Sequence, residues 1–241
     1  MAGHNKWSQI KRKKAANDNA RGKTISKHIR AIQAAVRSGG GGDATTNLAL
    51  KNALSAARTD EVAADTIERA IERALGAAEG GDFEEAVYEG YGPAGIALMV
   101  AALTDNRNRT AAEIRHVFTK HGGNMSGSTA WQFDSRGVIV INDPPAEIED
   151  LAIELGAEDL ESDDEGLTIY TLPTELYAVV DGLQARGLEP SVSQLTKLPQ
   201  TPVELNEEDS AKVIRMLEAF EDLDDVQNVY STASLDFGAE S

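Results

Sequence analysis

The order of strand and helix patterns in the C-terminal two thirds of the chain constrains the fold most. Residues 135–200 follow the order strand, helix, strand, strand, helix, strand, which is the order of a ferredoxin-like unit. The stretches 82–134 and 201–241 each carry a shorter strand, helix, strand pattern. Neither is long enough to hold its own core without a disulfide or a metal, and the chain contains no cysteine. We therefore predict that the two stretches pack together, with residues 135–200 inserted between them.

Residues 1–80 carry only helical patterns. Apolar residues recur every three or four positions between Thr24 and Gly39, which predicts a helix with Thr24 as its N-cap. Two further helices are predicted within residues 47–76. The chain is thus predicted to be α+β, with three domains: a basic all-helical domain (1–80), a discontinuous α+β domain (81–134 plus 201–241) and an inserted ferredoxin-like domain (135–200).

Three local patterns make specific predictions around residue 110. The apolar run from Ile96 to Leu103 predicts a buried strand, and Thr110 with Glu113 predicts a capping box that starts the next helix. A second strand is expected at 129–133.

The glycines of 90–95 match a dinucleotide-binding motif by letters only, because a strand follows them instead of a helix N-terminus. We interpret them as a tight loop.

The charge of the chain is segregated along the sequence. The formal net charge is −17, from 23 basic and 40 acidic residues. Residues 1–40 contain ten Lys and Arg and one acid, a net of 10 − 1 = +9, so residues 41–241 have 13 − 39 = −26. A basic head on an acidic body predicts a polyanionic partner for the head and a solvated surface for most of the body.

The basic head combines a lysine cluster with a basic helix face. Lys11, Arg12, Lys13 and Lys14 occupy one turn, and Lys23, Lys27, Arg30 and Arg37 lie opposite the apolar face of the predicted helix. Such clusters are typical of phosphate contacts in nucleic-acid-binding proteins. Trp7 stands between Lys6 and Lys11. It either packs against the first helices or stacks on a base.

A polar loop between the predicted strand and helix has two interpretations. Its side chains Asn106, Arg107 and Arg109 suit a phosphate or a base edge near a helix N-terminus. Alternatively the loop is self-contained, with Asp105 paired to Arg107 or Arg109.

Catalytic and metal sites are not predicted. His116 and His121 are five positions apart and do not share a helix face. Asp222, Asp224 and Asp225 could suit Mg²⁺, but no nucleophile or base accompanies them, and a solvated acidic turn is the favoured interpretation. We expect no cofactor, no metal and no enzymatic activity. The longest uncharged stretch, 90–104, is too short to span a bilayer, so no membrane partner is expected.

Five segments, spread over nearly the whole chain, carry specific motifs: Met1–Trp7, Tyr88–Pro93, Thr104–Thr110, His121–Asn124 and Asp225–Tyr230. They resemble the YebC/PmpR family, which includes the mitochondrial translational activator of cytochrome c oxidase. Asn5 stands where that family usually has Ser.

The resemblance implies a helical N-terminal domain and two α+β domains around a cleft, and a cytoplasmic, non-enzymatic role in gene expression. Family members are described as DNA-binding transcriptional regulators, and some as ribosome-associated factors that help translate proline-rich stretches. By residue match, the nucleic-acid-facing positions would be Lys6, Trp7, Lys11, Arg12, Lys13, Lys14, Lys23, Lys27 and Arg30, with Asn106, Arg107 and Arg109 as further candidates.

Three functional hypotheses follow from the residues and the resemblance. The first is a DNA-binding transcriptional regulator that neutralises phosphates with its basic head. The second is a ribosome-associated translation factor that binds ribosomal RNA, where stacking by Trp7 would matter more. The third is a metal-dependent nuclease. No helix-turn-helix pattern is present, so base-specific readout is not predicted.

Overall fold

The computed structural model describes residues 18–39, 41–76, 83–145, 147–163 and 166–234. The described residues of the N-terminal part form three helices, α1 (Asp18–Ser38), α2 (Leu48–Thr59) and α3 (Ala64–Gly76). Asn47 caps α2, and its side-chain oxygen accepts a hydrogen bond from the Leu50 backbone N–H at 3.0 Å. The buried residues of this helical core include Ile32, Val36, Leu50, Leu54, Ile67 and Ala70.

A three-stranded sheet covered by two helices forms the discontinuous α+β domain. Its first half contains β1 (Glu84–Tyr91), β2 (Ala97–Thr104) and α4 (Arg107–Lys120). Its second half contains β7 (Val203–Glu204), α7 (Glu207–Glu221), β8 (Val226–Ser231) and β9 (Ala233–Ser234). The sheet order is β1-β2-β8, with antiparallel neighbours, and β7 pairs with β9 in parallel.

The core of this domain joins the two halves. The rings of Phe118 on α4 and Phe220 on α7 meet edge to face, with their centroids 4.9 Å apart, and both side chains are fully buried. Strand β2 lies between β1, which belongs to the same half, and β8, which belongs to the second half. The sheet therefore contains strands from both halves. The prediction that residues 82–134 and 201–241 pack together is confirmed for the described residues.

The inserted part is a ferredoxin-like unit. It contains β3 (Phe133–Ile141), α5 (Ile148–Leu155), β4 (Asp159–Asp163), β5 (Gly166–Thr171), α6 (Leu176–Gln184) and β6 (Val192–Pro199). The sheet order is β4-β5-β3-β6 with antiparallel neighbours, which is the arrangement that the βαββαβ order predicts. The three-domain α+β fold is therefore confirmed. The residue limits that we assign to the domains stay a prediction.

At four places the local structure differs from what the sequence analysis predicts. Helix α1 begins at Asp18, so Thr24 is an interior residue and not a cap. Helix α4 begins at Arg107, and its cap is Asn106, whose side-chain oxygen accepts from the Arg109 N–H at 3.1 Å. Thr110 is buried within α4. Strand β1 was not predicted, because three of its eight residues are glutamates and only Ala86 and Gly90 are buried.

The fourth difference concerns residues 129–133. A short 3₁₀ helix, Ala130–Gln132, replaces the predicted strand, and β3 begins only at Phe133. The Glu89 carboxylate explains the difference. It accepts hydrogen bonds from the backbone N–H groups of Thr129 and Ala130, which are then not available to a sheet.

The glycine-rich segment 90–95 connects two antiparallel strands. It ends β1, forms the 3₁₀ turn Pro93–Gly95 and leads into β2, so no helix N-terminus follows it. This agrees with the predicted tight loop. Gly90 also lies close to a neighbouring loop, and a Cβ atom there would overlap the Asn124 carbonyl oxygen and approach the Phe118 ring to 2.8 Å.

We predict that Gly90→Ala lowers the free energy of unfolding by roughly 1–3 kcal/mol, because the added methyl group meets a backbone carbonyl that cannot move freely. Gly76→Ala is the control, because a Cβ there meets no atom within 4 Å. Urea unfolding of the two variants checks the prediction, and equal midpoints would contradict it.

Candidate nucleic-acid interface

The basic head is described in part. Lys6, Trp7, Lys11, Arg12, Lys13 and Lys14 lie outside the described residues, so the alternatives for Trp7 stay open. Lys23, Lys27 and Arg30 lie on α1, and their side chains point away from the helical core.

The cations of α1 contact the last residue of α7 and the turn after it, which together we call the acidic turn (residues 221–225). Lys23 Nζ lies 3.1 Å from Asp222 Oδ1. Lys27 Nζ donates to the Glu221 carbonyl oxygen at 2.7 Å, and Arg30 Nη1 donates to the Asp224 carbonyl oxygen at 3.0 Å. The basic face of the N-terminal domain is thus docked on the discontinuous α+β domain.

The chemistry of a helix C-terminus explains this docking. The last carbonyl groups of a helix lack intrahelical donors and carry a partial negative charge, which basic side chains normally offset. Helix α7 has no basic residue in its last turn, and acids follow it. The compensating cations come instead from α1, about 190 residues earlier in the chain.

Asp225 is the most connected residue of the acidic turn. It is only 4 % exposed. Its Oδ2 accepts from Arg109 Nη2 at 2.6 Å, from Thr110 Oγ1 at 2.7 Å and from Thr104 Oγ1 at 3.1 Å. Its Oδ1 lies 3.1 Å from Arg30 Nη1. One carboxylate therefore joins β2, α4 and α1.

Hydrogen bonds keep Asp225 ionised. Burial of the carboxyl group acts to raise its pKa, but the hydrogen bonds from Arg109, Thr110 and Thr104 outweigh burial, and the pKa lies below its usual value. The pKa of Arg109 is raised, because its guanidinium group donates hydrogen bonds to Asp225 and Asp105.

The polar loop 104–110 is engaged within the protein. Arg109 pairs with Asp105 at 2.9 Å and with Asp225, while Arg107 lies 3.7 Å from Glu84 Oε2. Asn106 caps α4. This geometry is that of the self-contained loop, with the predicted Asp105–Arg109 pair and an additional partner in Asp225.

The acidic turn is not simply a solvated surface. That prediction holds for Asp224, which is exposed, but it is wrong for Asp225, which is buried and fully hydrogen bonded. Among the described residues no group of three or more acidic, histidine or cysteine side chains is placed to hold a metal ion. None of the helices in these ranges is both long and apolar enough to cross a bilayer.

A second group of cations lies at the other end of α4. Arg115, Lys120 and Arg215 are exposed and form no ion pair within the described part of the chain. Lys120 and Arg215 lie near His121, which is partly buried. Burial of its ring, followed by the charges of Lys120, Arg215 and His116, lowers the pKa of His121, so the ring is neutral at pH 7.

A cleft separates the helical domain from the two sheets. Its volume is about 1040 Å³, and its walls include α1 and α2 on one side and β1, β2, β8 and β6 on the other. Val87 and Leu195 face it and are 51 % and 39 % exposed. At its far end Ser55 Oγ on α2 donates to the Ser193 carbonyl oxygen at 3.0 Å, and the Tyr177 hydroxyl donates to the Asn52 side chain.

Two family models match this chain. The TACO1/YebC protein N-terminal domain matches residues 5–77, and the TACO1/YebC second and third domain matches residues 83–233. The chain belongs to the TACO1/YebC family.

Relatives within this family share most of the sequence. A probable transcriptional regulatory protein of Deinococcus radiodurans is 56 % identical over 238 residues, 98 % of each chain. One of Thermus thermophilus is 55 % identical and covers 96 % of each chain. The crystal structure of the conserved hypothetical protein Aq1575 from Aquifex aeolicus superposes with a TM-score of 0.81 at 42 % identity, over 93 % of this chain and 94 % of that one.

Sequence reasoning missed the docked state of this TACO1/YebC chain. The acids at 221–225 and the cations at 23–30 were both visible, and so was the absence of a basic residue in the last turn of α7. That absence is the signal that a cation from elsewhere completes the helix end. It does not say which cation, because the partners are far apart in sequence.

We predict that Asp225→Asn destabilises the protein by about 1–3 kcal/mol, since the buried threonine and arginine donors lose a charged acceptor. Asp222→Asn is the matched control. Its side chain is 74 % exposed and forms one ion pair, so the cost stays below about 1 kcal/mol. Thermal unfolding at pH 7 measures both changes, and equal losses would contradict the assignment.

The same pair of variants gives a pH test. Because the Asp225 pKa is lowered in the folded protein, its stabilisation is present above the unfolded value of about 3.9 and is lost as the pH falls through the folded value. The stability difference between the parent and Asp225→Asn should therefore persist from pH 7 to pH 5 and shrink only below about pH 4. A difference that vanishes near pH 6 would indicate another titrating group.

Proposed function

We propose that this chain is a nucleic-acid-binding regulator of gene expression, and that it acts as a DNA-binding transcriptional regulator. The names of its relatives support a regulatory role. The observation that carries the binding proposal is the segregation of charge, with a net of +9 on residues 1–40 and −26 on the remainder.

Electrostatics then fix the orientation of binding. A polyanion is attracted to the head and repelled by the body, so it approaches the N-terminal domain. We propose that Lys6, Lys11, Arg12, Lys13 and Lys14 contact phosphates first, that Trp7 stacks on a base or ribose, and that Lys23, Lys27 and Arg30 extend the same surface. The contacts of Asn106, Arg107 and Arg109 favour a positioning role for these three residues, through Asp225 and the start of α4.

The predicted mode of binding is contact with the phosphate backbone. The described part of the N-terminal domain offers a basic helix face without a recognisable helix-turn-helix, so a large share of the affinity should come from counterion release. We further propose that the role is non-enzymatic, needs no cofactor and takes place in the cytoplasm.

Binding to ribosomal RNA is the second candidate. Trp7 beside Lys6 and Lys11 is the observation that favours it, because aromatic stacking next to phosphate contacts is typical of proteins that bind unpaired bases. Co-sedimentation with ribosomes at low salt separates the two candidates: recovery only in ribosome-free fractions would count against the ribosomal role.

We predict that Lys11→Glu combined with Lys13→Glu weakens DNA binding at least about tenfold and reduces the salt dependence. If the parent neutralises about six phosphates, the slope of log K against log salt is near −5, and each lysine lost brings it about one unit closer to zero. Fluorescence anisotropy with a labelled DNA duplex measures both quantities.

The matched control is Arg186→Glu combined with Lys197→Glu, which makes the same change in net charge on the inserted domain. It should leave the affinity and the slope close to those of the parent. Equal losses in both double variants would show that net charge, and not the basic head, governs binding. Incubation of the same duplex with Mg²⁺ tests the nuclease alternative, for which we expect no cleavage.

A further inference from the structure

We infer that the acidic turn competes with nucleic acid for the basic face of α1, so that the docked N-terminal domain is an autoinhibited state. This inference rests on the proposed function, because it concerns the same cations. Binding would then require Lys23, Lys27 and Arg30 to leave the acidic turn, and nucleic acid would open the contact between the two domains.

The first support is that the acidic turn already satisfies these cations with oxygen acceptors. Lys23 contacts a carboxylate oxygen at 3.1 Å, Lys27 a carbonyl oxygen at 2.7 Å, and Arg30 one of each at 3.0 and 3.1 Å. A phosphate group offers the same type of acceptor and more negative charge. The two ligands therefore require the same donor atoms.

The second support is that docking restricts access to the cations. The Arg30 side chain is 30 % exposed, lies between the acidic turn and the Phe83 ring, and has its guanidinium carbon 6.0 Å from the ring centroid. Lys27 is partly buried. Lys23 is the most accessible of the three, with 49 % of its side chain exposed. Lys23 is therefore open to a phosphate in the docked state, whereas Nη1 of Arg30 is already occupied by the Asp224 carbonyl oxygen and the Asp225 carboxylate.

The third support is that the contact is of a reversible type. It consists of polar contacts at the mouth of the 1040 Å³ cleft, and this cleft occupies much of the space between α1 and the three-stranded sheet. The Lys23–Asp222 ion pair is exposed on both sides, and such pairs contribute about 0–1 kcal/mol and weaken with salt. Asp225 is buried, but it keeps its hydrogen bonds from Arg109, Thr110 and Thr104 when Arg30 leaves. The contacts of α2 with the inserted domain lie at the other end of the cleft. Because α1 and α2 share one core, these contacts can serve as a pivot about which the helical domain turns as a unit.

The composition of the acidic turn gives a fourth support. Acids at a helix C-terminus interact unfavourably with the helix dipole. Glu221, Asp222 and Asp224 are therefore not explained by the stability of α7 itself. Asp222 pairs its carboxylate with Lys23, and Glu221 and Asp224 receive Lys27 and Arg30 on their backbone carbonyl oxygens, so all three acids lie beside docked cations. Their negative charge attracts the same cations that a nucleic-acid backbone would attract.

A distance measurement combined with binding tests the inference. The chain has no cysteine, so Glu72→Cys on α3 and Glu113→Cys on α4, both exposed, allow two spin labels to be placed. In this background, Glu221→Gln, Asp222→Asn and Asp224→Asn remove three of the four acidic side chains of the acidic turn, including the partner of Lys23, and leave Asp225 in place. We call this variant the neutralised turn. Glu149→Gln, Asp150→Asn and Glu154→Gln on α5 are the matched control, with the same change in net charge.

We expect a single interlabel distance in the parent and in the control at low salt. A short DNA duplex or an RNA hairpin should add a second, longer distance. The neutralised turn should show the longer distance without nucleic acid and should bind the nucleic acid about tenfold more tightly than the control, because less of the protein is held in the closed state.

The outcomes separate this inference from the proposed function. If neither the duplex nor the hairpin binds any of the proteins, the proposed function fails and the inference fails with it. If nucleic acid binds but leaves the interlabel distance unchanged, or if the neutralised turn and the control bind equally, the proposed function stands and the competition is overturned.

Discussion

The buried carboxylate of Asp225 is the interaction on which the arrangement of the domains depends. It joins the end of β2 through Thr104, the first turn of α4 through Thr110 and Arg109, and the basic helix α1 through Arg30. A buried carboxylate needs such donors, because desolvation without them would cost several kcal/mol. Asp225 therefore joins two elements of the discontinuous domain and also holds the N-terminal domain against that domain.

This dual role reconciles the strongly acidic body with the basic head. Considered separately, the acidic body is a polyanion and the basic head is a polycation. In the folded protein the C-terminal end of α7 and the acidic turn receive Lys23, Lys27 and Arg30, so part of the opposite charge is neutralised within the molecule. The nucleic-acid surface that we propose is consequently not a fixed patch. Its size depends on whether α1 is docked.

The sequence predicts the parts of this fold in which apolar residues recur at the spacing of a helix or a strand. The ferredoxin-like insertion follows from the order of strands and helices, and the union of the two flanking halves follows from their length. Strand β1 escaped prediction because its outward-facing side chains are not apolar core residues: Glu85 and Val87 border the cleft, and Glu89 binds the backbone of Thr129 and Ala130. The contacts of Asp225 escaped for another reason. Thr104, Arg109 and Arg30 are more than a hundred positions away from it, and no periodicity links them.

The proposed function requires that the basic N-terminal region is the part of the protein that meets nucleic acid. Ultraviolet crosslinking in cells tests this requirement when the crosslinked peptides are mapped and the bound nucleic acid is sequenced. We expect crosslinks within residues 1–37, with promoter DNA for the transcriptional role and ribosomal RNA for the alternative. Crosslinks confined to the acidic body, or none above background, would contradict it.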